Sequence, residues 1–370
     1  MKILLVRFSS IGDIVLVTPL IRTIKNLYTD SKIYILIKKE YFELLKYNKN
    51  LDGIISLESG RLVNAINRVN LEKFDIILDL HNNIKSNLIK IFCRGKLKIT
   101  YKKEILERRF LVLNSFIKRR LKTKGSISNP KLIVLKYGDL KNIVHTTDRY
   151  FFAALNLIGE SVKISRDKYE MKRPEIILTN KEKEFALKFL EENKIKNGDI
   201  LVGFNPGGKN ITKRWDPEQY TELAKKIIEG FNAKIIIFGD KNDTGVANCI
   251  EKTVNSNNVI NVAGKTGLLE LSGLIKKCKL LVTGDTGPMH IANSFDVPVV
   301  AIFGPTVVQF GFYPSGINDV VLCLDLYCRP CSLHGNMKCP IGTHDCMKKI
   351  NADDVFKVVI EKINSCLKAP

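Results

Sequence analysis

The chain has 370 residues, of which 45% are hydrophobic, and a formal net charge of +21 at pH 7. This length exceeds one ordinary hydrophobic core and predicts two domains. No apolar run reaches the roughly 18–20 residues of a membrane-spanning helix, which argues against an integral membrane protein.

Strand-like runs alternate with helical patterns in the first part of the chain. The predicted strands there are 2–6, 32–37, 53–57 and 75–80, and the predicted helices are 14–28, 40–47 and 60–70. The pattern restarts with strands at 199–205, 233–239, 258–264, 279–284 and 297–304 and helices at 217–230 and 268–277. This alternation is typical of parallel βαβ units. We therefore predict two α/β domains, residues 1–170 and 171–350, followed by an amphipathic helix over 351–370 that Asn351 caps.

The N-terminal stretch and the cysteines indicate the compartment. Arg7 and Asp13 interrupt the apolar start of the chain, so we expect a cytoplasmic protein and not an exported one. The nine cysteines, an odd number, favour reduced thiols over a secreted disulfide framework.

Positive charge is concentrated between residues 85 and 145, where 17 Lys or Arg stand against 3 Asp or Glu. Such a segment indicates an anionic partner: a nucleic acid, an anionic membrane surface or a phosphorylated substrate. The alternative is that the excess only keeps a Lys-rich surface solvated. Because few aromatic residues and no known nucleic-acid motif accompany the charge, we predict no nucleic-acid partner.

Asp13 follows the first predicted strand at a strand-to-helix turn, in the stretch VRFSSIGDIVLV over residues 6–17. In open α/β sheets, ligands bind beyond the carboxyl ends of the strands. A carboxylate placed there is costly to desolvate unless it has a task or a partner. This turn is therefore a candidate functional site.

A second turn of this kind lies in KLLVTGDTGPMH, residues 279–290. Gly284 and Gly287 permit close backbone approach, and Asp285 and Thr286 are helix N-cap types. A helix N-terminus after a glycine-rich turn presents N–H groups to a diphosphate, and His290 could donate to a phosphate oxygen. The alternative is an ordinary tight turn with a structural histidine.

The stretch FNPGGKNITKRW, residues 204–215, contains two glycines, Gly207 and Gly208, followed by three cations, Lys209, Lys213 and Arg214. Such a loop beside a helix start suits a polyanionic ligand. It is not a P-loop, because the Gly-Lys-Ser/Thr spacing is absent. We interpret Trp215, the one tryptophan of the sequence, as a packing residue.

Two carboxylates follow the predicted strand at 233–239. A carboxylate just past a strand end can hold the two hydroxyls of a ribose, and Asp243 or Asp240 could do this. The alternative is a solvated loop acid.

Four cysteines near the C-terminus fall as C-x2-C-x7-C-x6-C, with two histidines nearby: Cys328, Cys331, Cys339, Cys346, His334 and His344. Tetrahedral zinc needs four ligands of this type, so a structural zinc site is one interpretation. A redox C-x-x-C and a compact loop of reduced cysteines are the others.

Together these motifs resemble glycosyltransferase family 9, the ADP-heptose:lipopolysaccharide heptosyltransferases. The residues that carry the resemblance are S-x-I-G-D (9–13), T-P-L (18–20), N-P-G-G to K-R-W (205–215), G-D-T-G-P-M-H (284–290), F-G-P-T (303–306) and the cysteine cluster. The resemblance implies a GT-B fold, two Rossmann-like domains facing a central cleft. It implies an acceptor site on the N-terminal domain, a nucleotide-sugar site on the C-terminal domain, and a final helix that packs back on the first domain.

The implied reaction is inverting transfer of heptose from ADP-heptose to the inner core of lipopolysaccharide, with Kdo or the first heptose as acceptor. By resemblance, Asp13 is the general base, Gly12 lets the substrate approach, and Ser9 or Ser10 orients the carboxylate. The implied donor-binding residues are Gly208, Lys209, Lys213, Asp243, Asp285, Thr286, Gly287, Met289 and His290. Lys213 and the N–H groups of Thr286 and Gly287 would stabilise the leaving diphosphate, so we expect no metal or other cofactor.

The resemblance also gives the basic segment a partner. The inner core carries carboxylates and phosphates at the inner leaflet, so we expect peripheral association with the inner membrane without a span. The stretch DLHNNIKS, residues 79–86, matches the acid-led stretch of the family only loosely.

Two further functions remain as alternatives. A family member could use another nucleotide-sugar or acceptor in surface polysaccharide synthesis, because contacts to diphosphate and ribose do not select the sugar. A nucleotide-dependent redox enzyme is disfavoured, because no G-x-G-x-x-G follows the first strand.

Overall fold

The computed structural model describes residues 1–101, 105–121, 130–158 and 169–368. Its contacts divide the chain into two compact units, residues 1–104 with 144–179 and residues 105–143 with 180–370. Both units consist of a mostly parallel sheet with helices.

Nine of the described strands match the predicted runs and alternate with helices, whereas β5, β6 and β12 were not predicted from the sequence. The strands are β1 Lys2–Val6, β2 Lys32–Lys38, β3 Gly53–Leu57, β4 Ile76–Asp79, β5 Leu97–Thr100, β6 Leu132–Lys136, β7 Leu201–Asn205, β8 Lys234–Ile237, β9 Val259–Asn261, β10 Leu280–Gly284, β11 Val299–Phe303 and β12 Val320–Leu324. The first helices are α1 Ile11–Leu16, α2 Thr18–Leu27, α3 Phe42–Leu45, α4 Leu62–Glu72, α5 Ile84–Phe92, α6 Ile105–Leu121, α7 Tyr137–Leu140, α8 Thr146–Ala153 and α9 Leu155–Ile158. The later helices are α10 Tyr169–Lys172, α11 Asn180–Glu192, α12 Pro217–Phe231, α13 Thr244–Val254, α14 Leu268–Ile275, α15 Gly287–Asn293, α16 Asp345–Lys348 and α17 Ala352–Lys368.

The first sheet has the strand order β3-β2-β1-β4-β5, and all its described pairs are parallel. The order reverses between β1 and β4, so the crevice of this doubly wound sheet lies beyond the carboxyl ends of those strands. The segment containing Asp13 follows β1 and therefore starts at this crevice.

The second sheet has the order β6-β12-β11-β10-β7-β8-β9. Its order reverses between β7 and β10, which pair in parallel. The loops after these strands carry the N-P-G-G and G-D-T-G motifs. The sequence therefore places both predicted donor loops at the switch point of one sheet.

The division into units differs from the predicted boundary at residue 170. Residues 105–143 belong to the second unit because β6 pairs antiparallel with β12 at the edge of the second sheet. Residues 144–179 then belong to the first unit, where Arg22 on α2 forms an ion pair with Glu175, 2.8 Å between Nη1 and Oε2. Neither unit is a continuous piece of chain.

Helix α17 belongs to the core of the second unit, and its predicted packing on the N-terminal domain stays a prediction. Val355, Val359 and Ile363 are buried in the same hydrophobic cluster as β7 and α12. Asn351 caps the helix as predicted, since its Oδ1 accepts the N–H of Asp354 at 2.8 Å.

The predicted helix at 14–28 is two helices, α1 and α2, which meet at Val17. Thr18 Oγ1 donates to the carbonyl of Val15 at 2.7 Å, and Pro19 lies in the first turn of α2, where a missing N–H costs little. Among the residues described, no helix combines the length and apolar character needed to cross a membrane.

Candidate active site

Asp13 lies in the first turn of α1, directly beyond the end of β1, and is 7% exposed. Its Oδ1 accepts a hydrogen bond from the hydroxyl of Tyr150 at 3.1 Å and forms an ion pair with the guanidinium of Arg7. Its Oδ2 accepts the backbone N–H of Ser10 at 3.0 Å and the Ser10 hydroxyl at 3.2 Å. Both carboxylate oxygens are therefore held in place by charged or polar groups.

The surroundings of Asp13 favour its ionised form. Burial alone would raise the pKa of the carboxyl, but the charge and hydrogen bonds of Arg7, with those of Ser10 and Tyr150, lower it below its usual value. Arg7 is itself buried and also donates to the carbonyl of Leu80, at the end of β4. Asp13 therefore stays ionised at this switch point, and an ionised carboxylate can accept a proton.

The other predicted residues of this turn, Ser9, Ser10 and Gly12, lie at the start of α1. Ser10 is the N-cap of α1, and Asp13 is the capping-box acid that accepts its N–H, so Ser10 orients the carboxylate. Gly12 is buried within α1 between Ile11 and Asp13. Ser9, which precedes the cap, is partly exposed.

The stretch that matches the family loosely is organised by Asp79, which is fully buried at the end of β4. Its Oδ1 accepts the N–H groups of His81 and Asn82 at 2.9 Å, and its Oδ2 accepts the Ser86 hydroxyl at 2.8 Å. Lys90 lies 3.2 Å from the same Oδ2. This carboxylate is committed to the shape of the loop before α5.

In the second unit, the loops after β7 and β10 contact each other at the switch point. Asn205 at the end of β7 donates through Nδ2 to the hydroxyls of Thr283 at 3.2 Å and Thr286 at 3.0 Å. A side chain at Gly284 would begin 2.7 Å from the carbonyl oxygen of Lys213, so only glycine permits this approach. The predicted donor loops therefore form one continuous surface.

Lys213 forms an ion pair with Asp285 in this surface, with 2.6 Å between Nζ and Oδ2. The hydroxyl of Thr306 donates to the same Oδ2 at 2.8 Å. Burial would raise the pKa of Asp285, but Lys213 and Thr306, with His290, lower it below its usual value. An ammonium has three donors, and within the part of the chain that the structure describes Lys213 uses two of them, to the carboxylate and the carbonyl of Asp285.

Asp243, the predicted ribose ligand, is 5% exposed and holds the glycine loop. Its Oδ1 accepts the N–H of Gly208 at 3.2 Å and the guanidinium of Arg214 at 3.0 Å. Its Oδ2 accepts the N–H of Asp240 at 3.1 Å. A Cβ at Gly207 would lie 2.1 Å from this carboxylate, which explains the glycine. These contacts favour a structural role, whereas the alternative ribose ligand, Asp240, is exposed.

The remaining predicted donor residues differ in accessibility. Lys209 is exposed on the glycine loop, and Thr286 and Gly287 are partly exposed at the start of α15. Met289 and His290 are buried, 0% and 3% exposed, in the first turn of that helix. Thus Lys209, Thr286 and Gly287 can be reached from solvent, while the side chain of Met289 cannot.

Trp215 is a packing residue, as predicted. It is 1% exposed, its Nε1 donates to the carbonyl of Ile350 at 2.8 Å, and its ring packs edge-on against Tyr220 at 4.8 Å. This contact joins the start of α12 to the start of α17.

The cysteine cluster is a loop of free thiols that follows β12. Cys331 Sγ donates to the carbonyl of Cys328 at 3.2 Å, and a hydrogen bond from the Cys331 thiol lowers the pKa of Cys328 to about 7. Burial raises the pKa of Cys346 to about 12. Within the described ranges, no three His, Cys, Asp or Glu side chains come together as a set of metal ligands, so the geometry adds no support to a zinc site.

Comparison with known proteins agrees with this arrangement. The chain matches glycosyltransferase family 9 (heptosyltransferase) over residues 144–340 and is 31% identical over 234 residues to lipooligosaccharide heptosyltransferase 2 of Campylobacter jejuni serotype O:6. That alignment covers 59% of this chain and 69% of the relative. The chain belongs to glycosyltransferase family 9.

The similarity extends over the full length of this family 9 glycosyltransferase. It is 28% identical over 373 residues to lipooligosaccharide heptosyltransferase 2 of Campylobacter jejuni serotype O:2, covering 100% of this chain and 99% of the relative. The solved structure of Escherichia coli ADP-heptose lipopolysaccharide heptosyltransferase II is similar in fold, with a TM-score of 0.69, 22% identity, and 99% and 98% of the two chains covered. The family, the glycosyl-transferring class and the GT-B fold of two Rossmann-like domains predicted from the motifs are confirmed.

Sequence reasoning missed the partners that set the charge of the site residues. In the sequence, Arg7 is only a break in an apolar run, but its position directly after β1 is a usable signal. Tyr150 carries no local signal, because it reaches Asp13 from 137 residues away. Thr306 belongs to the F-G-P-T motif, but that motif alone does not show that its hydroxyl donates to Asp285.

Proposed function

We propose that this protein transfers heptose from ADP-heptose to the inner core of lipopolysaccharide, inverting the configuration at the anomeric carbon. The observation that carries this proposal is the end-to-end match to a relative named lipooligosaccharide heptosyltransferase 2. The similar Escherichia coli structure is named for ADP-heptose, which supports the choice of donor. The number 2 in the names of these relatives suggests addition of a second heptose. The first acceptor to test is therefore one that already carries one heptose, and the second is a Kdo acceptor.

In this proposal Asp13 is the general base. The acceptor oxygen attacks the anomeric carbon as the proton of that hydroxyl passes to the Asp13 carboxylate. The bond between the anomeric carbon and the ADP oxygen breaks, and its electron pair leaves with ADP. The buried position and the partners of Asp13 support this role, because they keep the carboxylate ionised before the proton arrives. Ser10 holds the carboxylate in a fixed orientation through Oδ2.

Stabilisation of the leaving diphosphate is assigned to the second unit. Lys213 supplies a positive charge and a third N–H donor, and the N–H groups of Thr286 and Gly287 lie at the start of α15. Charge-assisted hydrogen bonds of this kind are strong where charge develops in the transition state. We therefore propose that the transfer needs no metal ion or other cofactor.

We also propose that the protein works at the cytoplasmic side of the inner membrane, as a peripheral protein. The acceptor named in the relatives is a glycolipid, and the basic segment over residues 85–145 suits an anionic surface.

Release of ADP tests this function. The purified enzyme is mixed with ADP-heptose and either Kdo-lipid A or a monoheptosyl acceptor, and wild type is compared with Asp13→Asn. We expect acceptor-dependent release that falls by about two or more orders of magnitude in the variant, as for loss of a general base. The control is Asp52→Asn, a carboxylate of the same unit that pairs with Lys25 at 3.2 Å near the surface.

Two results would contradict the proposal in different ways. Full activity of Asp13→Asn would refute the role of Asp13 and leave the transfer intact. No release of ADP with either acceptor, together with binding of another nucleotide-sugar, would show that this family member uses a different sugar donor.

A further inference from the structure

Helix α6 is fixed on the second unit by one face. Ser115 is 2% exposed, and its hydroxyl donates to the carbonyl of Pro330 at 2.5 Å. The guanidinium of Arg108 lies 5.6 Å from the ring centre of Phe312. Because these anchors come from the same side of the helix, the direction of its opposite face is determined.

The opposite face of α6 is an exposed apolar stripe. Its members, with their exposed fractions, are Leu106 at 83%, Phe110 at 66%, Leu113 at 52% and Ile117 at 48%. The spacing of four, three and four residues places them in one line on a helix. Phe116, 41% exposed, borders this line. An apolar stripe over three turns of a surface helix indicates an interaction surface.

Basic residues border the stripe. Arg109, Lys118 and Arg120 are exposed, and the guanidinium of Arg120 lies 4.7 Å from the ring centre of Phe116. The acidic side chain in the sequence of α6 is Glu107, against five Lys or Arg. Apolar residues with flanking cations are the composition of helices that lie in the plane of a bilayer surface, with the apolar face among the acyl chains and the cations at anionic headgroups.

The charge also argues against a second copy of this chain as the occupant. The stripe lies within the segment of 17 basic and 3 acidic residues, so two copies meeting there would bring like charges together. An anionic lipid surface complements that charge.

We propose that the outward face of α6, formed by Leu106, Phe110, Leu113 and Ile117 with Arg109 and Arg120, binds the surface of an anionic lipid bilayer. This deepens the membrane association proposed above and rests on it. The helix does not cross the bilayer; it inserts the apolar stripe to the depth of the headgroup boundary.

Vesicle flotation tests this surface with the full chain. The probes are vesicles of phosphatidylcholine with and without phosphatidylglycerol. We expect binding to the anionic vesicles that weakens with salt, and a loss of about tenfold or more in Leu106→Gln/Leu113→Gln, since each leucine loses apolar burial. The matched control is Leu71→Gln/Leu187→Gln, because these helical leucines are 80% and 54% exposed, close to the values for Leu106 and Leu113. The control should bind like wild type.

A fluorescence measurement reports insertion directly. Trp215 is buried and serves as a constant background, so Phe110→Trp adds one responsive tryptophan to the chain. We expect its emission to shift to the blue on anionic vesicles and to be quenched by brominated acyl chains. Equal thermal unfolding midpoints in all variants show that the exposed substitutions leave the fold intact.

The possible outcomes separate the proposals. Vesicle binding that is absent in wild type, or unchanged in Leu106→Gln/Leu113→Gln, overturns the role of α6. A wild-type dimer in light scattering that this variant dissociates also overturns it, in favour of a second copy. Stripe-dependent vesicle binding by a protein that releases no ADP with any acceptor would sustain this surface and refute the proposed transfer.

Discussion

Arg7 and Asp13 form an ion pair inside the first unit, where their side chains are 9% and 10% exposed. The pair couples the end of β1 to the first turn of α1, and it fixes the charge of the residue assigned as base. Replacing one member of a buried pair leaves the other charge uncompensated, which typically costs about 3–5 kcal/mol.

The first prediction concerns Arg7→Met. Without its cation, burial raises the pKa of Asp13, so the carboxylate protonates at a higher pH than in wild type. Since Asp13 acts as a base only when ionised, the acidic limb of the kcat/KM profile should shift to higher pH. The measurement is ADP release as a function of pH. The control is Lys25→Met, which removes one member of a more exposed ion pair and should lower the stability of the fold by about 1 kcal/mol or less. An unshifted acidic limb would show that Arg7 does not set the charge of Asp13.

The same pair predicts how stability responds to acid. The folded-state pKa of Asp13 is lowered relative to the unfolded value of 3.8, so its contribution is present above that value and is lost as the pH falls through the lower, folded pKa. Asp13→Asn should therefore flatten the acid limb of thermal stability below about pH 4. Unfolding midpoints across the acidic range measure this, and an identical slope in wild type and variant would contradict it.

Tyr150→Phe removes the hydroxyl that donates to Asp13 Oδ1. We expect a loss of about 0.5–1.5 kcal/mol in stability and a fall in kcat smaller than that of Asp13→Asn, because Arg7 and Ser10 still hold the carboxylate. Tyr220→Phe is the matched control: that tyrosine is equally buried and donates to the carbonyl of Asn205 at 3.1 Å in the second unit. A kcat lowered equally by both substitutions would indicate a general loss of packing.

Gly207→Ala tests the glycine loop. The new Cβ would lie 2.1 Å from the Asp243 carboxylate, so the loop must move and the contacts to Gly208 and Arg214 are lost. We expect at least about 1–3 kcal/mol of destabilisation and weaker ADP binding by calorimetry. Gly245→Ala is the control, because nothing lies within 4 Å of its Cβ position in α13. Wild-type ADP affinity in Gly207→Ala would show that the loop does not contact the donor.

Lys213→Met should weaken ADP binding by about tenfold or more, the effect of losing one charge-assisted hydrogen bond. It also leaves Asp285, whose side chain is 12% exposed, without its cation, which raises the pKa of that carboxyl. The control is Lys226→Met, a lysine of α12 that pairs with Glu222 and Asp353. Unchanged ADP affinity in Lys213→Met would exclude Lys213 from the diphosphate site.

Metal independence is tested with the wild-type enzyme. A chelator should leave ADP release unchanged, and a loss of activity that magnesium restores would refute metal independence.

The sequence predicted nine of the twelve described strands and missed β5, β6 and β12. Strand β12 is buried and apolar, but no described α-helix separates it from β11, so it falls outside the alternation of strands and helices. The runs that form β1, β7 and β10 are continuous and apolar, because parallel strands covered on both faces bury nearly every side chain. In contrast, β5 and β6 are half-exposed edge strands that contain lysine, so they read as part of the basic segment.

The candidate site was predictable where it depends on local order and not where it depends on pairing. A turn after a strand placed Asp13 correctly, because chain order alone fixes that position. The function of Asp243 could not be derived locally, since its carboxylate meets Gly208 only when the loops after β7 and β8 fold against each other. The charge of Asp285 likewise depends on Lys213, 72 residues away.

The pairing of β6 with β12 constrains the order of events during synthesis. Val134 leaves the ribosome 188 residues before Leu322, the partner it faces in the sheet. Until that partner emerges, β6 has an unpaired edge and is followed by a segment that returns to the first unit. Long-range pairing of this kind forms late and slowly, and open edges attract other strands. We expect the net positive charge of the chain to oppose aggregation, through repulsion between copies, until β12 is available for pairing.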